Sequence, residues 1–106
     1  MYEVEDRVRQ TLLYDYYSEL LTPQQRNIFE SVVFDDYGLS ETAKENGISR
    51  QGVYDSIRHT LKTLEQYEEK LGLLDKRQRL KEIIEMMQDG GKYSAGIDEI
   101  KELFSL

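Results

Sequence analysis

The sequence predicts an all-α protein with a trihelical helix-turn-helix core, a long fourth helix and extra C-terminal helices. Apolar residues recur at spacings of three and four, the period of an α-helix, and no window alternates convincingly between apolar and polar residues. The only proline, Pro23, stands where a helix can begin. A chain of 106 residues has room for one compact domain. We therefore expect a single helical domain over residues 1–106, with the helix-turn-helix within residues 39–58 and a C-terminal helical extension over residues 73–106.

The first two helices meet at the junction before Pro23. The first helix is predicted from about Glu3 to Leu20. Thr22 is placed to cap the second helix, and Gln25 completes a Thr-x-x-Gln capping box. The second helix should end near residues 35–38, because Asp-Asp-Tyr-Gly is typical of a turn. The positions expected to face inward are Val4, Val8, Leu12, Leu13, Tyr16, Tyr17 and Leu20 in the first helix, and Ile28, Phe29, Val32 and Val33 in the second.

The third and fourth helices are joined by a short turn. Ser40 is predicted to cap the third helix, which runs from Glu41 to about Asn46. Gly47 then suits a left-handed exit, which a β-branched residue would resist. Ser49 is predicted to cap the fourth helix, which begins at Arg50 and spans about 33 Å at 1.5 Å per residue. Its apolar stripe continues to Gly72 through Val53, Ile57, Leu61, Leu64 and Leu71.

Two further helices follow. The fifth is predicted from about Asp75 to Gln88, and Asp-Gly-Gly at residues 89–91 ends it. The sixth is predicted over residues 94–103, although Gly96 weakens it. The inward positions are expected to be Leu80, Ile83, Ile84 and Met87 in the fifth helix, and Ile97, Ile100 and Phe104 in the sixth.

The segment from Leu39 to Arg58 has the spacing of a helix-turn-helix. Ala43, Gly47 and Val53 stand at the fifth, ninth and fifteenth positions of that twenty-residue segment. Two helices that cross at a steep angle need a small residue where their backbones approach, and Ala43 provides it. Val53 and Ile57 should pack the second helix against the first. Leu39 and Ile48 should close the two ends of this small core.

The outward side chains of the second motif helix are the candidate nucleic-acid-binding residues. In DNA-binding members of this class such side chains meet the major groove. Asp55 on the same face would repel phosphates unless it accepts from a cytosine amino group, and Gly52 weakens the start of the helix. The fold alone does not establish DNA binding, so a packing role without nucleic acid remains the alternative. The candidates are Ser49, Arg50, Gln51, Tyr54, Arg58 and Lys62.

The charge distribution bears on whether the helix-turn-helix binds nucleic acid or has only a packing role. The chain has a net charge of −7, which is unusual for a nucleic-acid binder. Residues 40–62, however, carry four basic and three acidic side chains, a net charge of +1, whereas the first 39 residues carry −5. The motif is therefore the least acidic part of the chain, and any nucleic-acid contact depends on that local patch.

Composition also limits the chemistry. The chain has no cysteine and a single histidine, His59, so neither thiolate-zinc sites nor two-histidine metal sites can form. No phosphate-binding glycine loop and no nucleophile with an adjacent base occurs in the sequence. We expect a cytoplasmic protein that is not an enzyme, binds no metal, cofactor or small-molecule substrate, and does not insert into membranes, since no apolar stretch approaches about 20 residues.

A second basic group marks the start of the fifth helix. Its residues are either a partner-docking patch, for RNA phosphate or an acidic protein, or a solvated face with Glu82 and Glu85 as helical partners. Eight tyrosines are many for this length, and tyrosine is common both at interfaces and at the edge of a small core. The basic group consists of Lys76, Arg77, Arg79 and Lys81.

Several segments resemble one family. Residues 35–43 and 47–55, which include the run Ser-Arg-Gln-Gly-Val-Tyr-Asp, resemble the YlxM-like family of helix-turn-helix proteins associated with the signal recognition particle. Residues 12–17, 20–22 and 64–71 are similar to that family as well, so the resemblance covers about residues 12–74. It implies the fold of region 4 of bacterial sigma factors, extended by extra C-terminal helices. It also implies an association with the protein-targeting pathway.

Two function hypotheses follow. The first is a non-enzymatic helix-turn-helix regulatory protein of the signal recognition particle pathway, which acts by contacting DNA, RNA or a pathway component. The second is a protein-interaction module that keeps the fold without binding nucleic acid, and whose acidic surface engages a basic partner. The later stripe of the fourth helix, Leu64 and Leu71, extends beyond what a trihelical core can cover, so it needs the apolar side of the fifth helix, in the same chain or in another. A homodimer with an exchanged or packed C-terminal hairpin is therefore expected in either case.

Overall fold

The computed structural model describes residues 4–106, with side chains from residue 7 onward. Within that range every regular element is helical, which confirms the all-α prediction. The predicted start at Glu3 and the side chain of Val4 lie outside the described residues. The elements are α1 (Val4–Tyr17), a 3₁₀ helix (Ser18–Leu20), α2 (Pro23–Phe29), a π-helix (Glu30–Phe34), α3 (Leu39–Asn46), α4 (Arg50–Leu71), α5 (Leu73–Gly90) and α6 (Tyr93–Phe104).

The chain divides into two compact units. The first ends at Leu71 and holds α1 to α4, and the second comprises Gly72–Leu106 and holds α5 and α6. The single domain expected from the sequence stays a prediction. No helix among residues 4–106 is long and apolar enough to cross a membrane.

Helix α1 buries a narrower strip than the sequence predicted. Leu13, Tyr14 and Tyr17 are buried where α1 packs in the first unit, mainly against α4. The inward positions predicted at intervals of four residues drift around the helix surface, because four residues exceed one turn of 3.6. Three of them are therefore exposed, which corrects the prediction: Val8 by 54%, Tyr16 by 43% and Leu20 by 55%.

A buried polar pair joins α1 to the second half of α4. The Tyr17 hydroxyl donates to Glu68 Oε1 at 2.7 Å, and Glu68 is only 6% exposed. Nearer the surface, Arg9 donates two hydrogen bonds of 2.8 Å to the carboxylate of Glu65. Leu71, which was predicted to continue the inward stripe, is 49% exposed. The α1–α4 contact thus combines apolar burial with polar pairs that the hydrophobic pattern alone does not reveal.

The junction into α2 forms as predicted. Thr22 Oγ1 accepts from the Gln25 amide at 3.1 Å, and Gln25 Oε1 accepts from the Thr22 amide at 2.9 Å. These reciprocal bonds complete the predicted capping box, and Pro23 occupies the first turn.

The second helix stops at Phe34, close to the predicted turn, but its last turn is not α-helical. After Phe29 the chain continues as a π-helix, in which the Asp35 amide donates to the Glu30 carbonyl five residues earlier at 2.9 Å. The wider turn accompanies a cluster of three aromatic rings: Tyr14 stacks on Phe29 at a centroid distance of 4.9 Å, and Phe34 meets both rings edge-on. Burial and a 2.6 Å hydrogen bond to Glu30 raise the pKa of the Tyr14 phenol well above its usual value.

The predicted cap of the third helix is wrong. Helix α3 begins at Leu39, so Ser40 lies inside its first turn and Gly38 is the N-cap, without a side-chain hydrogen bond. A residue inside the first turn has helical backbone angles, and its hydroxyl no longer reaches the free amides from the cap position.

The second unit is a helical hairpin. Ile83 of α5 is buried, and α6 packs on the same helix at Gly96. A Cβ added to Gly96 would lie 2.5 Å from Met87 Sδ and 2.6 Å from its Cγ. The glycine that was expected only to weaken α6 therefore allows the two helices to approach. The predicted inward positions Ile84, Ile97 and Phe104 are 41%, 49% and 40% exposed, because a two-helix unit covers only one strip of each helix.

Alanine substitutions at Gly90 and Gly96 distinguish the effect of helix propensity from the effect of close helix packing. We expect Gly90→Ala to raise the free energy of unfolding by a few tenths to about 1 kcal/mol, because an added Cβ meets nothing within 4 Å. Gly96→Ala should instead lower it by up to about 2 kcal/mol, because the displacement of the Met87 side chain costs more than the same gain in helix propensity. Urea denaturation followed by circular dichroism measures both changes. Equal stabilisation by the two alanines would contradict the close approach at Gly96.

Candidate nucleic-acid interface

The helix-turn-helix core forms around three buried residues from three helices. Ile28 of α2, Ala43 of α3 and Val53 of α4 are 2%, 5% and 0% exposed. The predicted small residue and the predicted second-helix anchor are therefore both in the core. The partly buried residues packed around them are Val32, Leu39, Ile48 and Ile57, three of which the sequence predicted to close or line this core.

The turn between α3 and α4 has the predicted backbone. Gly47 adopts φ of 65° and ψ of 31°, the left-handed conformation that glycine tolerates best. The Ile48 amide then donates to the Ala43 carbonyl at 3.0 Å. Glycine at this position lets the chain leave α3 and enter α4 within three residues.

Ser49 caps α4 as predicted. Its Oγ accepts from the Gly52 amide at 2.9 Å, which satisfies one of the free amides at the start of the helix. A Cβ at Gly52 would lie 3.2 Å from Ser49 Oγ and 3.5 Å from Ile48 Cβ. Gly52 thus leaves room for the cap and the turn, a role that helix propensity alone does not reveal.

Packing of Val53 fixes which side of α4 faces outward. Four of the six predicted binding residues follow one another at intervals of four, so they lie along a strip that winds about 40° around α4 at each step. All six are exposed, and the structure brings them together over the first half of α4: Ser49, Arg50, Gln51, Tyr54, Arg58 and Lys62. We call these six residues the α4 face.

Two side-chain pairs order the α4 face. The guanidinium carbon of Arg58 lies 5.7 Å from the centroid of the Tyr54 ring, a cation–π contact. Gln51 Nε2 donates to Asp55 Oδ1 at 3.0 Å. Asp55 is therefore held by a neighbouring amide, and Arg58 is oriented by a ring rather than by a carboxylate.

Two shallow depressions lie along the same strip. Leu39, Arg50, Gln51 and Tyr54 line the first. The second is lined by Asp55, Arg58, His59 and Lys62. Leu39 and His59 belong to these depressions although neither was among the predicted binding residues. The four-residue spacing from Asp55 to His59 was the sequence signal for the second of them.

The four basic residues of α5 that were predicted as a docking patch do not all face solvent freely, because some of them contact α6. Arg79 donates to Glu82 at 3.2 Å and also pairs with Glu99 of α6, and these hydrogen bonds, to Glu82 first, raise the pKa of its guanidinium. The ammonium of Lys76 lies 5.9 Å from the ring centroid of Phe104. Arg77 and Lys81 are exposed. The predicted helical partner Glu82 is thus present, and two of the four basic residues contact α6 within the hairpin.

Metal binding finds no support among the described residues. Among the side chains of residues 7–106, no three His, Asp or Glu groups converge where an ion could be held.

A family comparison agrees with this architecture. Residues 4–103 match the model of the UPF0122 family, described as "Putative helix-turn-helix protein, YlxM / p13 like". The chain belongs to the UPF0122 family. The match confirms the resemblance indicated by the sequence and extends it beyond residue 74, so that it includes most of the α5–α6 hairpin.

Individual relatives support the same assignment. A UPF0122 protein of Geobacillus kaustophilus is 52% identical over 86 residues, covering 81% of this chain and 78% of the relative. One from another Geobacillus species is 41% identical over 103 residues, covering 97% and 92%. A third, from Caldanaerobacter subterraneus, is 47% identical over 85 residues, covering 80% and 73%. These family members thus match this UPF0122 chain over most of their own length.

Proposed function

We propose that this UPF0122 protein is a non-enzymatic regulatory protein that binds duplex DNA through the α4 face. One observation carries the proposal: Arg50, Tyr54, Arg58 and Lys62 are all exposed along a single strip of the second motif helix. The buried contacts of Val53 hold that helix on α2 and α3, so the strip is presented on a rigid support. A helix of this kind enters the major groove with its first turns.

The basic side chains of the α4 face contact phosphates, and the polar side chains contact base edges. Arg50, Arg58 and Lys62 contact phosphates, which gives about three ionic contacts and a slope of log K against log salt of about −2.7. Gln51 is the residue type that pairs with the N6 and N7 edge of adenine. Asp55, its hydrogen-bond partner, accepts from a cytosine amino group or remains paired with Gln51.

The biological setting follows from the resemblance to the YlxM-like family. That resemblance implies an association with the signal recognition particle, and we place the regulatory action of this protein in that protein-targeting pathway. Its target is then DNA or RNA of that system, or one of its protein components. Duplex DNA is the expected ligand because its major groove is wide enough to admit an exposed helix on a trihelical support. The major groove of duplex RNA is too deep and narrow for such a helix.

Replacing Arg50 tests the α4 face directly. Arg50→Ala should weaken binding to duplex DNA about five- to tenfold and reduce the salt slope by about 0.9, because one phosphate contact is lost. Fluorescence titration with labelled random duplex at two salt concentrations measures both. Lys70→Ala is the matched control, since Lys70 is an exposed cation in the last turn of the same helix.

Equal affinities and slopes for the wild type and Arg50→Ala would contradict the proposal. Stronger binding to the signal recognition particle RNA than to duplex DNA, with the same loss on Arg50→Ala, would keep the face but change its ligand.

A second candidate function rests on the turn that precedes α3. Phe34 and Tyr37 are 43% and 47% exposed, and they flank the two carboxylates Asp35 and Asp36. Exposed aromatic rings beside carboxylates suit an arginine- or lysine-rich protein surface. The net charge of −7 would speed association with such a partner, for example a targeting GTPase or a ribosomal protein.

Neutralising the turn tests this candidate without disturbing the backbone. Asp36 has a positive φ of 56°, which asparagine also tolerates, so Asp35→Asn with Asp36→Asn should preserve the fold. Capture from nuclease-treated lysate should recover a basic protein with the wild type and severalfold less with the double variant. Partners that all disappear after nuclease treatment would exclude this candidate.

A further inference from the structure

The α5–α6 hairpin leaves an apolar strip uncovered. Leu73, Leu80 and Ile84 are seven and four residues apart, which places them on one face of α5. Leu73 and Ile84 are 36% and 41% exposed, and Leu80 between them is half-buried. The salt-bridged residues Arg79 and Glu99 line a different depression of the hairpin. The strip is therefore an apolar surface distinct from the polar side of the hairpin.

The charges of α5 are separated along its length. Its first half contains Lys76, Arg77, Arg79 and Lys81 with one acidic residue, Asp75, a net charge of +3, whereas Glu82, Glu85 and Asp89 give the second half a net charge of −3. Lys81 and Glu85 are exposed and lie one turn apart beside the apolar strip. Two parallel copies of this helix would bring like charges together. Two antiparallel copies would bring the basic half of each helix to the acidic half of the other.

We infer that the apolar strip of α5 is a homodimer interface, in which two copies of the helix pack antiparallel about a two-fold axis near residue 82. Leu80 then packs on Ile84 of the partner subunit, and Lys81 faces Glu85 of the partner subunit. A two-fold axis repeats both contacts, so one short strip yields a self-complementary surface. The inference does not rest on DNA binding, and its test does not use nucleic acid.

The charge separation favours a second copy over other occupants. An anionic membrane would attract only the first half of α5 and repel the second. A partner with one sign of charge would likewise match only half of the helix. The same helix in the opposite direction matches both halves.

Mixed charge variants test the contact between protomers. The wild type should sediment at twice the 12.5 kDa of one chain at tens of micromolar. Lys81→Glu and Glu85→Lys should each weaken self-association at least about tenfold, because like charges then face each other. An equimolar mixture of the two variants should recover the dimer. Lys92→Glu makes the same charge change in the turn after α5 and should leave the mass unchanged.

Three results would overturn the inference. The first is a wild-type mass of 12.5 kDa at these concentrations. The second is a dimer that both single variants leave intact, and the third is a mixture that stays monomeric. Circular dichroism of each variant checks that the helices remain, as expected for substitutions at exposed positions.

A spin label at residue 90 tests the antiparallel direction. The chain has no cysteine, and a Cβ at Gly90 meets nothing within 4 Å, so Gly90→Cys provides a single labelling site. In the antiparallel dimer the two labelled positions are about 24 Å apart along the helices, at 1.5 Å per residue from the axis near residue 82. A distance near the interhelical spacing of about 10 Å would show a parallel pair instead.

Discussion

The burial of Val53 against Ala43 and Ile28 is the contact on which the first unit depends. Because α4 approaches α3 at the small side chain of Ala43, the start of α4 has one fixed rotation. That rotation decides which side chains of a 22-residue helix face outward. A larger residue at position 43 would separate the two helices, and the α4 face would lose its support before any of its own residues changed. The proposed function therefore depends on a contact that contains no functional group.

The features that the sequence predicts are those set by local chemistry. The Thr22–Gln25 capping box, the left-handed Gly47 and the Ser49 cap each depend on residues within four positions of one another, and all three are present. The α4 face is likewise local once Val53 is assigned to the core, because helical spacing then determines the opposite side. For this reason all six residues of the α4 face are exposed.

The features that the sequence does not predict depend on which neighbour each element has. Helix α1 carries two apolar strips, and only packing on α4 selects the one with Leu13 and Tyr17 over the one with Tyr16. The π-helix after Phe29 accompanies aromatic packing with a residue of α1. Gly96 has low helix propensity in isolation, yet its missing side chain is what admits Met87. Tertiary packing overrides local preference at each of these places.

Binding of DNA by the α4 face can be measured by titrating the isotope-labelled full chain with random duplex DNA and following the backbone amides by NMR. We expect salt-sensitive shifts concentrated in residues 49–62, while the amide signals of residues 34–37 and of the α5–α6 hairpin stay unchanged. Shifts confined to residues 34–37, or none at any protein concentration up to the millimolar range at low salt, would contradict DNA binding by the α4 face. The helix-turn-helix would then be a scaffold for a protein-binding surface rather than the site that contacts DNA.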